Sequence, residues 1–174
     1  MSKSKLYLSL TLIILLFITC GFKPKNQNEK SEKTISGNVV HIVDGDTYDL
    51  LTADNQTIRV RMEGIDAPER GMAYYKVSKN YLGQLCMNQQ IKFKQTGVDS
   101  YKRALGFSYL TDNREIGAEM IKSGMAWHFK KYNQNPVLSN LEIEARKARR
   151  GLWQDENPTP PWEKRKQQRN GISK

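Results

Sequence analysis

The chain has 174 residues, with 28 Lys+Arg against 18 Asp+Glu and a formal net charge of +10, a length that favours one folded domain. Two cysteines and two histidines exclude a disulfide scaffold and leave the usual His- and Cys-based zinc sites short of ligands. The basic excess points toward polyanions, nucleic acid or an anionic membrane surface, although many secreted proteins are basic and bind neither.

Lys3 and Lys5 precede an almost wholly apolar run, residues 6–19. The run is shorter than the ~20 residues of a membrane-spanning helix and fits the apolar part of a signal peptide, with a retained anchor helix as the alternative. It ends at Phe17-Ile18-Thr19-Cys20-Gly21. This resembles the lipobox of bacterial lipoproteins, in which the cysteine becomes the lipidated first residue, although Phe17 and Thr19 depart from its usual residues. Residues 1–20 therefore read as an export signal. The expectation is an exported monomer, held at the cell envelope by a lipid on Cys20 or else secreted. Residues 21–33, rich in Lys, Asn, Gln, Glu and Ser, read as a flexible tether. Cys86, left without a partner, reads as a small buried apolar side chain.

The body, residues 34–153, opens with β patterning. Residues 34–42 are rich in β-branched side chains and end at the Asp44-Gly45 turn. Residues 47–52 form a second strand, closed by Ala53-Asp54-Asn55. In 56–62, Ile58, Val60 and Met62 share one face and Arg59 and Arg61 the other. Tyr74, Val77, Tyr81, Leu82 and Leu85 recur at helical spacing, predicting a helix over 73–86. Residues 90–95 alternate again, and Leu105, Phe107 and Tyr109 read as the apolar face of a fifth strand. A short helix is expected over 115–123, ending at Gly124. In the last helix Asn135 is placed to cap, Pro136 suits the first turn, and Val137, Leu138, Leu141, Ala145 and Ala148 repeat at three and four. Arg146, Lys147, Arg149 and Arg150 crowd its C-terminal end, where the helix dipole favours cations. Residues 154–174 read as a proline-containing basic tail.

Three clusters carry chemistry: Asp44-Gly45-Asp46-Thr47, the segment Arg61 to Glu69 with Asp66-Ala67-Pro68-Glu69 at its end, and Asp99-Ser100-Tyr101-Lys102-Arg103. Each alone is an ordinary turn or charged loop. Together, in this order around five strands, they resemble the staphylococcal nuclease-like (thermonuclease) family, over roughly residues 36–153. The resemblance implies an α+β fold, a five-stranded Greek-key barrel of the OB type with three α-helices. It implies Asp46 and Asp66 as Ca²⁺ ligands, Ala67 as a ligand through its carbonyl, and Asp44 in the outer shell of the metal. Glu69 is implied as the general base, Arg61 and Arg103 as the guanidinium groups that grip the scissile phosphate, and Tyr101 as a nucleotide contact. Tyr132 is the better candidate for a second nucleotide-contact tyrosine. Ala67 stands where the family often has threonine. Lys102 replaces a common glycine and is itself placed to touch phosphate or to restrict the loop.

The physical logic supports that reading. Attack on a phosphodiester adds charge to its equatorial oxygens, which preorganised guanidinium groups and a dication stabilise more in the transition state than in the ground state. An oxygen-only ligand set selects a hard cation such as Ca²⁺, and two carboxylates with a carbonyl and waters would hold it with a Kd of about 10⁻⁴–10⁻³ M. The expected function is a Ca²⁺-dependent nuclease acting on DNA, RNA or both. The alternative is a non-catalytic OB-fold module that binds nucleic acid by charge and stacking, although such a module has no need of Glu69 or of paired acids facing phosphate.

Overall fold

The computed structural model describes residues 33–171. The expected export signal, the lipid-anchored Cys20 and nearly all of the tether lie outside the described residues. Strands β1 (Lys33–Ile42), β2 (Thr47–Thr52), β3 (Thr57–Met62), β5 (Gln90–Val98) and β6 (Ala104–Tyr109) close into a barrel in the order β1-β2-β3-β6-β5. All neighbours are antiparallel except β3 and β6. A short β4 (Ile65–Asp66) pairs with β7 (Trp127–His128) outside the barrel. Helices α1 (Tyr75–Cys86), α2 (Ile116–Lys122) and α3 (Pro136–Lys147) are those expected from sequence, and α4 (Pro161–Arg169) is a fourth. The five-stranded OB-type barrel is as expected, with one helix more.

Closure follows from the side-chain pattern. β1 pairs with both β2 and β5, and its register shifts between Val39 and His41, a bulge that bends the strand around the barrel. Val39, Leu50, Val60 and Phe93 are fully buried in the interior. Ile91 and Phe93 point inward while Lys92 and Lys94 stay exposed, as the alternation requires. Asn135 caps α3 by accepting the Val137 N–H at 2.9 Å, and Pro136 follows at its first position. Cys86 is buried and free.

β6 faces the other way from the expectation. Ala104, Gly106 and Ser108 are buried, while Leu105, Phe107 and Tyr109 are only half-buried. Here the interior is already filled by larger neighbours. The Tyr48 hydroxyl and the Ser108 hydroxyl are hydrogen-bonded at 2.6 Å. A Cβ at Gly106 would lie 2.0 Å from the Lys94 carbonyl oxygen and 2.9 Å from the Phe93 ring. Small residues on the core face of a strand invert the usual reading of alternation.

The second difference lies in the expected tail, of which residues 154–171 are described: Gly151–Gln154 forms a 3₁₀ turn and Pro161–Arg169 a helix. Pro161 is buried, and the Trp162 ring stacks on Phe129 with centroids 5.2 Å apart and planes at 4°. Trp162 also meets the edge of Trp127 at 6.5 Å, and Trp127 in turn meets Trp153 at 5.7 Å. Aromatic stacking and edge contacts of this kind give a short polar helix a fixed seat.

Candidate active site

Side chains from the β1–β2 turn, the end of β3, strand β4 and the β5–β6 loop converge on one cluster. In the turn, Asp44 accepts the Asp46 backbone N–H at 3.0 Å. The Thr47 carbonyl accepts from Val43 and Asp44 at 3.0 and 3.2 Å, which closes the loop tightly. Gly45 lies beneath α1, where a Cβ would come 2.0 Å from the Ser78 hydroxyl. Asp46 is thereby fixed in a buried position. Its Oδ2 accepts the Ala67 N–H at 2.8 Å, and its Oδ1 accepts the Thr47 hydroxyl at 2.9 Å.

Alternation along β3 puts Arg61 on the face away from Met62 and the core. Its Nε lies 3.1 Å from Asp46 Oδ1 and its Nη2 3.2 Å from Asp66 Oδ1, and Nη1 donates to the Met62 carbonyl. Asp66 sits on β4, opposite Trp127, and is 1% exposed. Arg61 thus bridges two buried carboxylates, one from the β1–β2 turn and one from β4. Arg103 arrives from the β5–β6 loop. Asp99 shapes that loop: its Oδ1 accepts the backbone N–H groups of Tyr101 and Arg103, each at 2.9 Å, and its Oδ2 the Arg103 Nε at 2.7 Å. Arg103 Nη1 then reaches the Thr47 hydroxyl at 3.3 Å. Thr47 therefore links the second arginine to Asp46.

Glu69 follows β4 and is partly exposed. It joins the cluster through Arg165 of α4, whose guanidinium lies 2.5 Å from Glu69 Oε1 and 2.7 Å from Asp66 Oδ2. Of the residues singled out in the sequence, Asp44, Asp46, Arg61, Asp66, Ala67, Glu69 and Arg103 are drawn into this connected set. Tyr101 is exposed, with the Arg103 guanidinium 5.4 Å from its ring centroid. Lys102 is exposed and takes a left-handed backbone, φ +63°, the conformation for which glycine is favoured. Tyr132 stands outside the cluster, at an exposed position with its ring edge on Phe129 at 4.9 Å. It borders a groove of about 510 Å³ lined in part by Lys130, Trp162, Arg165 and Arg169.

Three contributors carried no assigned role in the sequence reading. Thr47 and Asp99 stood inside quoted motifs, and the turn-forming habit of an Asp two residues before a backbone donor is the signal for Asp99. Arg165 had no signal, since it lies 99 residues from Asp66 in sequence.

The electrostatics mark a site with too much buried negative charge. Burial, followed by repulsion from Asp46, pushes the Asp44 carboxyl up to about 7. Burial likewise raises Asp66, despite the hydrogen bonds of Arg165 and the charge of Arg61, with Asp46 adding repulsion. Asp99 goes the other way: burial opposes its ionised form, but the donors of Arg103 and Tyr101 prevail and hold it below the usual carboxylate range.

This donor set fits a hard divalent cation. Asp46 and Asp66 offer buried carboxylate oxygens that could ligate it, and the Arg165 guanidinium already stands 2.7 Å from Asp66 Oδ2. No group of three or more His, Cys, Asp or Glu side chains forms a metal cage among the described residues. The ligands available to a cation are thus two carboxylates supplemented by backbone oxygen and water, a weak, calcium-like set.

Residues 59–155 match the family model described as staphylococcal nuclease homologue. The chain is similar to an Escherichia coli O157:H7 protein named an uncharacterized endonuclease, 37% identical over 128 residues, covering 74% of this chain and 83% of the relative. A Haemophilus influenzae protein of the same name is 34% identical over 164 residues, 94% of this chain and 88% of the relative. A Shigella flexneri protein named micrococcal nuclease is 39% identical over 147 residues, 79% of this chain and 84% of the relative.

Proposed function

The chain belongs to the staphylococcal nuclease homologue family, and from that premise we propose that it is a Ca²⁺-dependent nuclease hydrolysing phosphodiester bonds of DNA, RNA or both. One observation carries the reading. Arg61 is held between the buried Asp46 and Asp66, with Glu69 at the edge of the same cluster and Arg103 tied in through Thr47. A purely nucleic-acid-binding barrel would gain nothing from three acids directed at a polyanion.

In this reading Asp46 and Asp66 hold the cation, with Asp44 behind Asp46 and the Ala67 backbone fixing Asp46 in place. When bound, the cation supplies charge against the phosphate and eases deprotonation of nearby water. Arg61 and Arg103 present planar forks that bind two phosphate oxygens each, and the fork hydrogen-bonds the equatorial oxygens more strongly as they gain charge. Glu69 accepts the proton of the attacking water at a carboxylate oxygen. Tyr101 and Tyr132, both exposed beside arginine or the basic groove, supply ring faces for nucleotides. Recognition through phosphate carries no base information, so the site accepts either polymer on this geometry. Lys3, Lys5, the apolar run at 6–19 and Cys20 support export, with the enzyme lipid-anchored or secreted.

The test is cleavage of plasmid DNA and of RNA by the purified protein with millimolar Ca²⁺ or with chelator. Cleavage is expected with Ca²⁺ and not with chelator, and Glu69→Gln should retain nucleic-acid binding while losing about 10²–10⁴ in rate. Full activity in chelator, or an intact substrate at millimolar Ca²⁺, would overturn the proposal.

A further inference from the structure

Arg165 has no part in the chemistry just described, yet its side chain lies in the middle of the acidic residues. Its Nη2 donates to Asp66 Oδ2 at 2.7 Å, and its Nη1 donates to Asp66 Oδ1 at 3.3 Å and to Glu69 Oε1 at 2.5 Å. One planar fork therefore spans both oxygens of the buried Asp66 and one oxygen of Glu69. This is the strong, oriented form of the guanidinium–carboxylate pair. The helix behind it is not loose: Pro161 is buried, Trp162 stacks on Phe129, and the Arg165 guanidinium itself lies 6.0 Å from the Phe129 ring centroid. The fixed helix thus delivers a monovalent cation to the acids that a divalent one would need.

Asp66 Oδ1 already accepts from Arg61, and Arg165 adds a second bond there and takes Oδ2. A divalent ion on Asp66 must therefore compete with Arg165 for the carboxylate lone pairs, and would repel its guanidinium at that distance. Glu69 is constrained in the same way, because the Oε1 that accepts the Arg165 Nη1–H is a weaker base toward water. We propose that α4 is a latch on the active site: Arg165 occupies the cation position and ties down the general base, and divalent-cation binding displaces it and frees both acids. The proposal rests on the reading of Asp66 as a cation ligand and Glu69 as the base. It follows that the apparent affinity for cation is set partly by how firmly the latch closes. A latch closed about nine-tenths of the time lowers that affinity about tenfold.

The experiment compares full-chain wild type with Arg165→Gln and Arg165→Lys. Ca²⁺ binding is measured by isothermal titration calorimetry without nucleic acid, and opening of α4 by cleavage after Lys164 and Lys166 with endoproteinase Lys-C. Arg165→Gln is expected to bind Ca²⁺ about tenfold more tightly, with Arg165→Lys between it and wild type. Ca²⁺ is expected to speed cleavage within α4 in wild type and to leave the rate in Arg165→Gln unchanged. Equal Ca²⁺ affinity in wild type and Arg165→Gln, with α4 equally protected with and without Ca²⁺, overturns the latch even if the protein is an active nuclease. An Arg165→Gln variant that binds Ca²⁺ like wild type but cleaves DNA far more slowly also overturns it, and makes Arg165 a phosphate-gripping residue. Absence of both Ca²⁺ binding and cleavage in every variant instead removes the nuclease reading on which the latch stands.

Discussion

Removing Arg61 separates its electrostatic role in the fold from its role at phosphate. Its side chain is 13% exposed, and the carboxylates it bridges, Asp46 and Asp66, are 8% and 2% exposed. Arg61→Ala leaves two buried acids short of a partner, a change that costs about 3–5 kcal/mol. Asp66 keeps Arg165 as a second partner, so the lower end, about 3 kcal/mol, is expected. For a domain of this size that lowers Tm by roughly 10 °C. A cation bound between the same acids would offset part of the loss: at ten times its Kd it returns about 1.4 kcal/mol. Arg61→Lys keeps the charge and should melt within a few degrees of wild type, but it loses the fork and should cleave about 10²–10³ more slowly. The assay is thermal melting of both variants in chelator and in millimolar Ca²⁺, beside cleavage of a labelled oligonucleotide. An Arg61→Ala protein that melts like wild type in chelator, or whose Tm ignores Ca²⁺, would refute the assignment of Asp46 and Asp66 as a charge-deficient cation site.

Lys102 pays for its left-handed backbone, φ +63°, so Lys102→Gly is expected to raise stability by about 0.5–1 kcal/mol, read as a Tm higher by about 2–4 °C. An unchanged or lower Tm would mean that the loop does not hold that conformation in solution. Asp49 is held below the usual carboxylate range, first by hydrogen bonds from Arg59 at 2.8 and 3.1 Å, against the opposing effect of burial, and with help from His41. A lowered folded pKa means stability that is present above the unfolded value and disappears as pH falls through the folded one. Asp49→Asn should therefore be less stable than wild type at neutral pH, with the gap closing below about pH 4; urea melts across that range check it, and a gap that widens in acid would contradict the sign.

Much of the barrel was legible because period-two alternation in a half-buried strand directly reports its two faces. Ile58, Val60 and Met62 against Arg59 and Arg61, or Ile91 and Phe93 against Lys92 and Lys94, needed no partner strand to be read. The same rule misplaced β6, because alternation shows that two faces differ and not which one is inside. With Tyr48 reaching Ser108 and the Lys94 backbone pressed on Gly106, only small residues fit inward there. The site motifs were legible through resemblance: Asp46, Arg61, Asp66, Glu69 and Arg103 lie in three short motifs, each ordinary alone, whose order resembles the family's, and the structure draws them into one cluster. Residues that act across the chain left no such trace. Sequence by itself determined the five barrel strands, the principal helices and the basic charge, all properties of short-range pattern, and the family resemblance pointed to Asp46, Arg61, Asp66, Glu69 and Arg103. Only the tertiary structure decided that α4 forms against Phe129 and Trp127 and carries Arg165 onto Asp66 and Glu69. A polar nine-residue segment has no helical period of apolar residues to announce it, and its conformation depends on aromatic surface supplied some thirty residues earlier in the chain.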